Sequence, residues 1–299
     1  MGITVSFLIV VALVTAVFAG VEVLGLKYFF GVVVPYIGIL LFIFGFSSRV
    51  IAWAKVPVPF QIPTTCGQQK SLSWIKPASI DNPSTKLGVL ARMALEVLLF
   101  RSLFRNTQAE LSDKKIIYHW EKWLWLAGLI FHWSFLTIVA RHFRLFVDPT
   151  PGFVLILQSL DGFFEISLQA VYLSGVALLI AVTYLLIRRV VLPEVRYISL
   201  AADYFPLFLI IAIGITGLAM RYFVREDIAA VKELVIGLTT FRPDIPAGLG
   251  WLLYVHLVLV SVLIGYFPFS KLMHMGGVFF SPTRNMANTN RAVRYRNPW

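Results

Sequence analysis

Tyr254–His274, YVHLVLVSVLIGYFPFSKLMH, and Leu129–Phe143, LIFHWSFLTIVARHF, decide how this chain is read. Each is a strongly apolar run that carries two histidines, and the whole chain has only 5. If both runs are α-helices, ten residues lift His142 about 15 Å above His132, and eighteen lift His274 about 27 Å past His256. Eighteen steps of about 100° return to the same face, so His256 and His274 point the same way, while His132 and His142 fall roughly 80° apart on one broad side. Packed antiparallel, the two helices pair His142 with His256 near one membrane surface and His132 with His274 near the other. The unequal rises predict tilt. Imidazole is a common iron ligand, and each pair would clamp one haem iron axially. Ionisable groups are costly in lipid, which weighs against four unrelated core histidines.

The composition is that of a membrane protein: 59% hydrophobic, 14% charged, with a mean hydropathy of +0.81. Several apolar runs of about twenty residues are long enough to cross a bilayer. The net charge of +11 is therefore read as topology-setting basic loops, not as a nucleic-acid footprint. Cys66 is the single cysteine. It excludes an internal disulfide, a cysteine-based zinc site and an iron–sulfur cluster held by this chain alone. Any iron–sulfur centre would sit on a partner.

Six helices follow in order. Ile3–Val23 has no basic residue before it and is read as a retained first helix, not a cleaved signal. The second runs from about Tyr28 to Trp53, the third from Trp123 to Phe146, the fourth from Gly162 to Ile187, the fifth from Ile198 to Tyr222 and the sixth from Gly250 to Met275. Pro268 should kink the last before His274. The predicted fold class is thus an all-α integral membrane protein, a bundle of six transmembrane helices holding two b-type haems. Residues 1–54 form two N-terminal helices. Residues 55–122 form a basic cytoplasmic segment in which VPVPFQIP is extended, Cys66–Pro77 is a polar loop and Leu87–Phe104 is an interfacial helix. Residues 123–275 form the four-helix dihaem core, with a polar loop at Arg225–Pro246. Residues 276–299 form a basic tail.

Six crossings put both termini on one side. That side carries 19 Lys and Arg against 7 on the other, so it is cytoplasmic. The expected location is the cytoplasmic (inner) membrane. His132 and His274 then lie toward the cytoplasm, and His142 and His256 toward the outside.

Bis-histidine ligation leaves no open coordination site, which argues for electron transfer over oxygen chemistry. A quinol is the natural donor in lipid, and a side chain must accept its protons. Asp161 and Glu165, spaced i, i+4 at the expected start of helix four, are the candidates; burial beside an apolar pocket would suit them, while capping the helix dipole would explain them equally. Arg141 and Arg144 suit haem propionates or the membrane interface, and Lys271 has the same two readings on the cytoplasmic side. His119 reads as a surface histidine.

The same residues carry a family resemblance. HLVLVSVLIGYFPFSKLMH resembles the last helix of the gamma subunit of respiratory nitrate reductase, and FHWSFLTIVARH resembles that family's first histidine-bearing helix. The likeness continues through IRRVVLPEVR and Ala202–Asp203. It implies haem ligands at His132, His142, His256 and His274. An additional first helix, a long basic segment and the lack of a lysine at 160–166, where the nitrate reductase subunit has one tied to quinol binding, set this chain apart. The longer form is similar to DsrM-type membrane cytochromes, known in archaea as the third subunit of a heterodisulfide-reductase-like menaquinol-oxidising complex. That resemblance implies menaquinone, sulfate or sulfite metabolism, and a cytoplasmic iron–sulfur partner related to heterodisulfide reductase. It also implies further membrane and extracytoplasmic subunits. The chain is thereby expected to act as the quinol-oxidising electron-transfer subunit of an oxidoreductase, passing electrons from menaquinol to the outer haem, the inner haem and the partner. The alternatives are a gamma-type haem anchor of another quinone-linked reductase, or a haem-free transporter using histidines as a proton relay.

Overall fold

A computed structural model describes residues 2–57, 67–112, 115–162, 164–166 and 169–288. VPVPFQIP lies largely outside these residues, as do Cys66 and the end of the basic tail. Among the described residues, six helices are long and apolar enough to cross a membrane: Gly2–Glu22, Phe29–Ala54, Lys122–Leu145, Leu173–Val191, Ala201–Val224 and Trp251–Phe269. With backbone groups satisfied inside each helix, such segments meet the bilayer's chief demand.

Within these spans the regular α-helices are α1 (Gly2–Glu22), α2 (Val34–Ala54, preceded by a π-turn at Phe29–Val33), α5 (Lys122–His142), α7 (Leu173–Val191), α9 (Ala201–Ala219) and α11 (Trp251–Tyr266). Between them lie α3 (Lys86–Leu99), α4 (Arg101–Phe104), α6 (Gly152–Asp161), α8 (Pro193–Ile198) and α10 (Ile228–Thr239). The chain's last described helix is α12 (His274–Phe280). Among the described residues there are also two antiparallel strand pairs: β1 (Thr107–Ser112) with β2 (Lys115–Trp120), paired Thr107 to Trp120, and β3 (Phe164–Ile166) with β4 (Gln169–Val171), paired Phe164 to Val171.

The elements group into two compact units, Met1–Ile43 with Leu126–Phe267, and Phe44–Trp125 with Pro268–Trp299. In the first unit α11 is the most enclosed span: Leu252, Leu253, Tyr254, Val255, Val258 and Leu259 are all buried. Phe18 of α1 meets Trp251 edge-on at 5.0 Å, and Phe7 meets Phe208 of α9 at 5.5 Å. Ser6, fully buried, brings its Oγ within 2.9 Å of Ala201 O. Gly38 lets α2 cross α11 closely, since a Cβ there would sit 2.7 Å from Ser261 O. The outward faces of α1 and α2 expose Phe7, Leu8, Leu40 and Phe44, as lipid-facing surfaces do. In the second unit Thr85 caps α3 by accepting the Gly88 N–H at 3.1 Å, filling one orphan donor of the first turn. Asn288 donates to Asn82 Oδ1 at 2.8 Å, tying the chain's later segment to its earlier one.

Three expectations are corrected. Helix four begins at Leu173, not Gly162. Asp161 ends α6 and Glu165 lies in β3, so the two do not share a helix face. The reason is a long-range one: Asp161 reaches forward to cap α7, and β3 and β4 lie between the two helices. The sixth α-helix ends at Tyr266; 3-10 turns at Phe267–Phe269 and Lys271–Met273 flank an extended Ser270, and His274 opens a separate helix. Pro268 removes an N–H and crowds the preceding turn, so the eighteen-residue rotation from His256 to His274 does not apply. Finally, the loop at Arg225–Pro246 contains α10, and the basic segment contains the β1–β2 strand pair. Leu87–Phe104 is helical as expected, broken at Phe100.

Candidate haem-binding site

His132 and His142 both lie on α5, and His142 is its last residue. His256 lies in the second turn of α11. His142 and His256 belong to the same unit. His132 belongs to the first unit and His274 to the second.

All four imidazoles share one local arrangement. Nδ1 of His132 lies 2.7 Å from Gly128 O, that of His142 lies 2.7 Å from Ile138 O, and that of His274 lies 2.9 Å from Lys271 O. A carbonyl can only accept, so each Nδ1 carries the proton. His256 reaches the same state through a hydroxyl. Its Nδ1 is 2.9 Å from Thr216 Oγ1. That hydroxyl has its own proton directed back into α9, toward Ala212 O at 2.9 Å and Ile213 O at 3.0 Å. Thr216 Oγ1 therefore accepts from His256. With Nδ1–H fixed in this way, Nε2 is the nitrogen that would ligate a metal, since a ligating histidine usually donates its other ring N–H to such a partner. His132, His142 and His274 are exposed and His256 is half-buried, so each ring presents an accessible edge. Gly217 makes room beside His256, since a Cβ there would lie 3.3 Å from Cε1.

Beside His142 sits a polar cluster within the first unit. Arg141 forms an ion pair with Asp161 and donates to Ser174 Oγ at 3.0 Å. Asp161 Oδ1 accepts the Ser174 N–H at 2.7 Å, and Oδ2 lies 2.6 Å from Ser174 Oγ. Ser174 is the second residue of α7, so Asp161 supplies the N-terminal acceptor that Tyr172, the residue before the helix, does not. The Arg141 guanidinium carbon lies 3.4 Å from the Tyr172 ring centroid. Arg144 lies in the 3-10 turn Phe143–Leu145. His119 is exposed in β2.

A family model described as the nitrate reductase gamma subunit matches residues 87–296, a stretch that holds all four of these histidines. The chain belongs to that family. Two curated relatives extend the likeness over most of its length. The Hdr-like menaquinol oxidoreductase cytochrome b-like subunit of Archaeoglobus fulgidus is 46% identical over 277 residues, covering 90% of this chain and 83% of the relative. Its counterpart in Archaeoglobus profundus is 42% identical over 274 residues, covering 89% and 81%.

The side chains fit the haem that a nitrate reductase gamma-type cytochrome b implies. Imidazoles whose Nδ1–H is held by an acceptor, with Nε2 left to ligate, are the donors such a cofactor needs. Sequence reasoning named the four histidines and Arg141, but not Thr216, Gly217, Tyr172, Ser174 or Arg221. Only Arg221 had a visible signal, a cation near the end of an apolar span.

Proposed function

We propose that this chain is the dihaem cytochrome b subunit of a menaquinol oxidoreductase in the cytoplasmic membrane, with both termini cytoplasmic. His142 and His256 would hold the outer haem, and His132 and His274 the inner one. When bound, the haems supply one-electron transfer between menaquinol and a cytoplasmic iron–sulfur subunit related to heterodisulfide reductase, within dissimilatory sulfate or sulfite metabolism. The names borne by the two archaeal relatives support the substrate and the complex. The observation that carries the reading is the His142–His256 pair in one unit, each Nδ1 held by an oxygen that accepts.

Menaquinol releases two protons as it is oxidised. Asp161 already accepts from Arg141 and Ser174, which suits a brace better than a proton relay. Glu165, on β3, is the better candidate. Arg141 and Arg144 would face propionates. The basic segment 55–122 would receive the partner. The family model equally fits a gamma-type anchor of another quinone-linked reductase, as a related fold, and the subunit that co-purifies separates the two.

A reduced-minus-oxidised spectrum of the purified chain should show a b-type band. His142→Ala or His256→Ala should halve the haem per protein and leave the inner haem's signal in place. Absence of a b-type band, or loss of both haems from either folded variant, would sink the proposal.

A further inference from the structure

Arg221 stands in the π-turn Met220–Val224 that prolongs α9. Its guanidinium carbon lies 4.0 Å from the ring centroid of Tyr172, the same ring that Arg141 covers at 3.4 Å. Tyr172 is buried and is itself held in place, its N–H donating to Tyr222 Oη at 2.9 Å. Two cations are thus gathered on one buried ring. Like charges in an apolar setting repel strongly, because little solvent screens them. A second observation points the same way. Arg141 Nε is buried and has no hydrogen-bond acceptor among the described residues. A buried charged donor without an acceptor is more costly than a neutral one. Asp161 answers Arg141 at Nη1 and leaves Nε for another oxyanion.

The position of the cluster says which oxyanion. Arg141 directly precedes His142 at the end of α5. Arg221 follows by five residues Thr216, the acceptor for His256 Nδ1. Both arginines therefore sit within about a turn and a half of a residue that holds or orients a ligand of the same haem. We propose that Arg221, together with Arg141, receives the propionates of the haem held by His142 and His256, and so sets that haem's reduction potential. This rests on the haem assignment made above. The charge of Arg221 favours the reduced haem, which carries one positive charge fewer than the oxidised form.

The test is a redox titration of the intact chain in membranes, following the two b-type bands separately. Arg221→Gln should make reduction of the outer haem about tenfold less favourable, a fall of about 59 mV for one electron. The inner haem should be unmoved. Arg221→Lys keeps the charge and should hold the outer potential near its starting value, or restore the outer haem if Gln loses it. An unchanged potential in Arg221→Gln, an equal shift in both haems, or equal damage from Lys and Gln overturns the inference. His142→Ala serves as the control. If it removes the outer haem while Arg221→Gln shifts nothing, the haem assignment stands and only the role of Arg221 falls. If it removes no haem, the assignment itself fails.

Discussion

Each unit of the molecule contains an aspartate gripped by arginine, and the two grips differ in what surrounds them. In the first unit the Asp161 and Arg141 side chains are 7% and 13% exposed. In the second, Asp81 is 18% exposed, and its partners Arg101 and Arg105 are 32% and 53% exposed. Asp161 also caps a membrane-spanning helix through the Ser174 N–H. Asp81 holds Arg101 through Nε at 2.8 Å and Nη2 at 3.3 Å, a two-pronged contact at the surface. The chemistry is the same in both. The difference lies in what happens when one partner is removed: the first site strands a cation in an apolar interior, and the second returns its cations to water.

That contrast fixes the order of effects. Asp161→Asn keeps the shape of the side chain and leaves Arg141 without its counter-charge. Breaking a buried pair in this way costs about 3–5 kcal/mol. The variant should show a markedly lower melting temperature in detergent, or fail to accumulate. If Asp161→Asn melts like the parent, the distinction between the two units is wrong.

Thr216→Val sharpens the same comparison, because it asks whether the buried polar atoms of the first unit serve the site or only the fold. Valine matches threonine in shape but offers no acceptor to His256 Nδ1. Loss of such an outer partner lowers metal affinity by about 10–100-fold. The outer haem should therefore be lost on dilution or detergent washing, with the inner haem retained. Equal retention of both would reduce Thr216 to a packing residue.

Much of this architecture was legible in the sequence, and the parts that were not have a common cause. The six spans declared themselves by length and apolarity, and the interruption before His274 by Pro268. The extent of that interruption was not legible, because the extended Ser270 and its bond to the Leu272 N–H, at 3.2 Å, depend on local geometry that a period cannot reveal. The start of helix four was misplaced because Asp161 satisfies a donor thirteen residues away. α10 was hidden inside a stretch bounded by charges and prolines, although AAVKELVIGL carries apolar residues at helical spacing. Thr216 could not be picked out at all, and Arg221 showed only as a cation near the end of an apolar span. Their meaning comes from His256 and Tyr172, each about forty or fifty residues distant along the chain.

The smallest effect belongs to the second unit, and pH is the way to see it. Burial pushes the Asp81 carboxyl up, but hydrogen bonds and charge from Arg101 and Arg105 outweigh it and hold the group below its ordinary value. A depressed carboxylate contributes stability above its unfolded value of about 3.9, and that contribution is lost as pH falls through the lower folded value. At neutral pH Asp81→Asn should cost only about 0.2–1 kcal/mol, because the pair is partly solvated. Hydrogen exchange across Arg101–Phe104 is a suitable measure, since Arg101 opens this short helix. The parent should lose protection there as the pH drops below about 4, while Asp81→Asn should be less protected at neutral pH and lack that acid-dependent step. High salt should weaken the parent's protection at neutral pH and leave Asp161 and Arg141 untouched, because screening reaches exposed pairs far more than buried ones. If Asp81→Asn followed the parent's acid profile, the step would belong to another carboxylate and the two aspartates could no longer be set against each other.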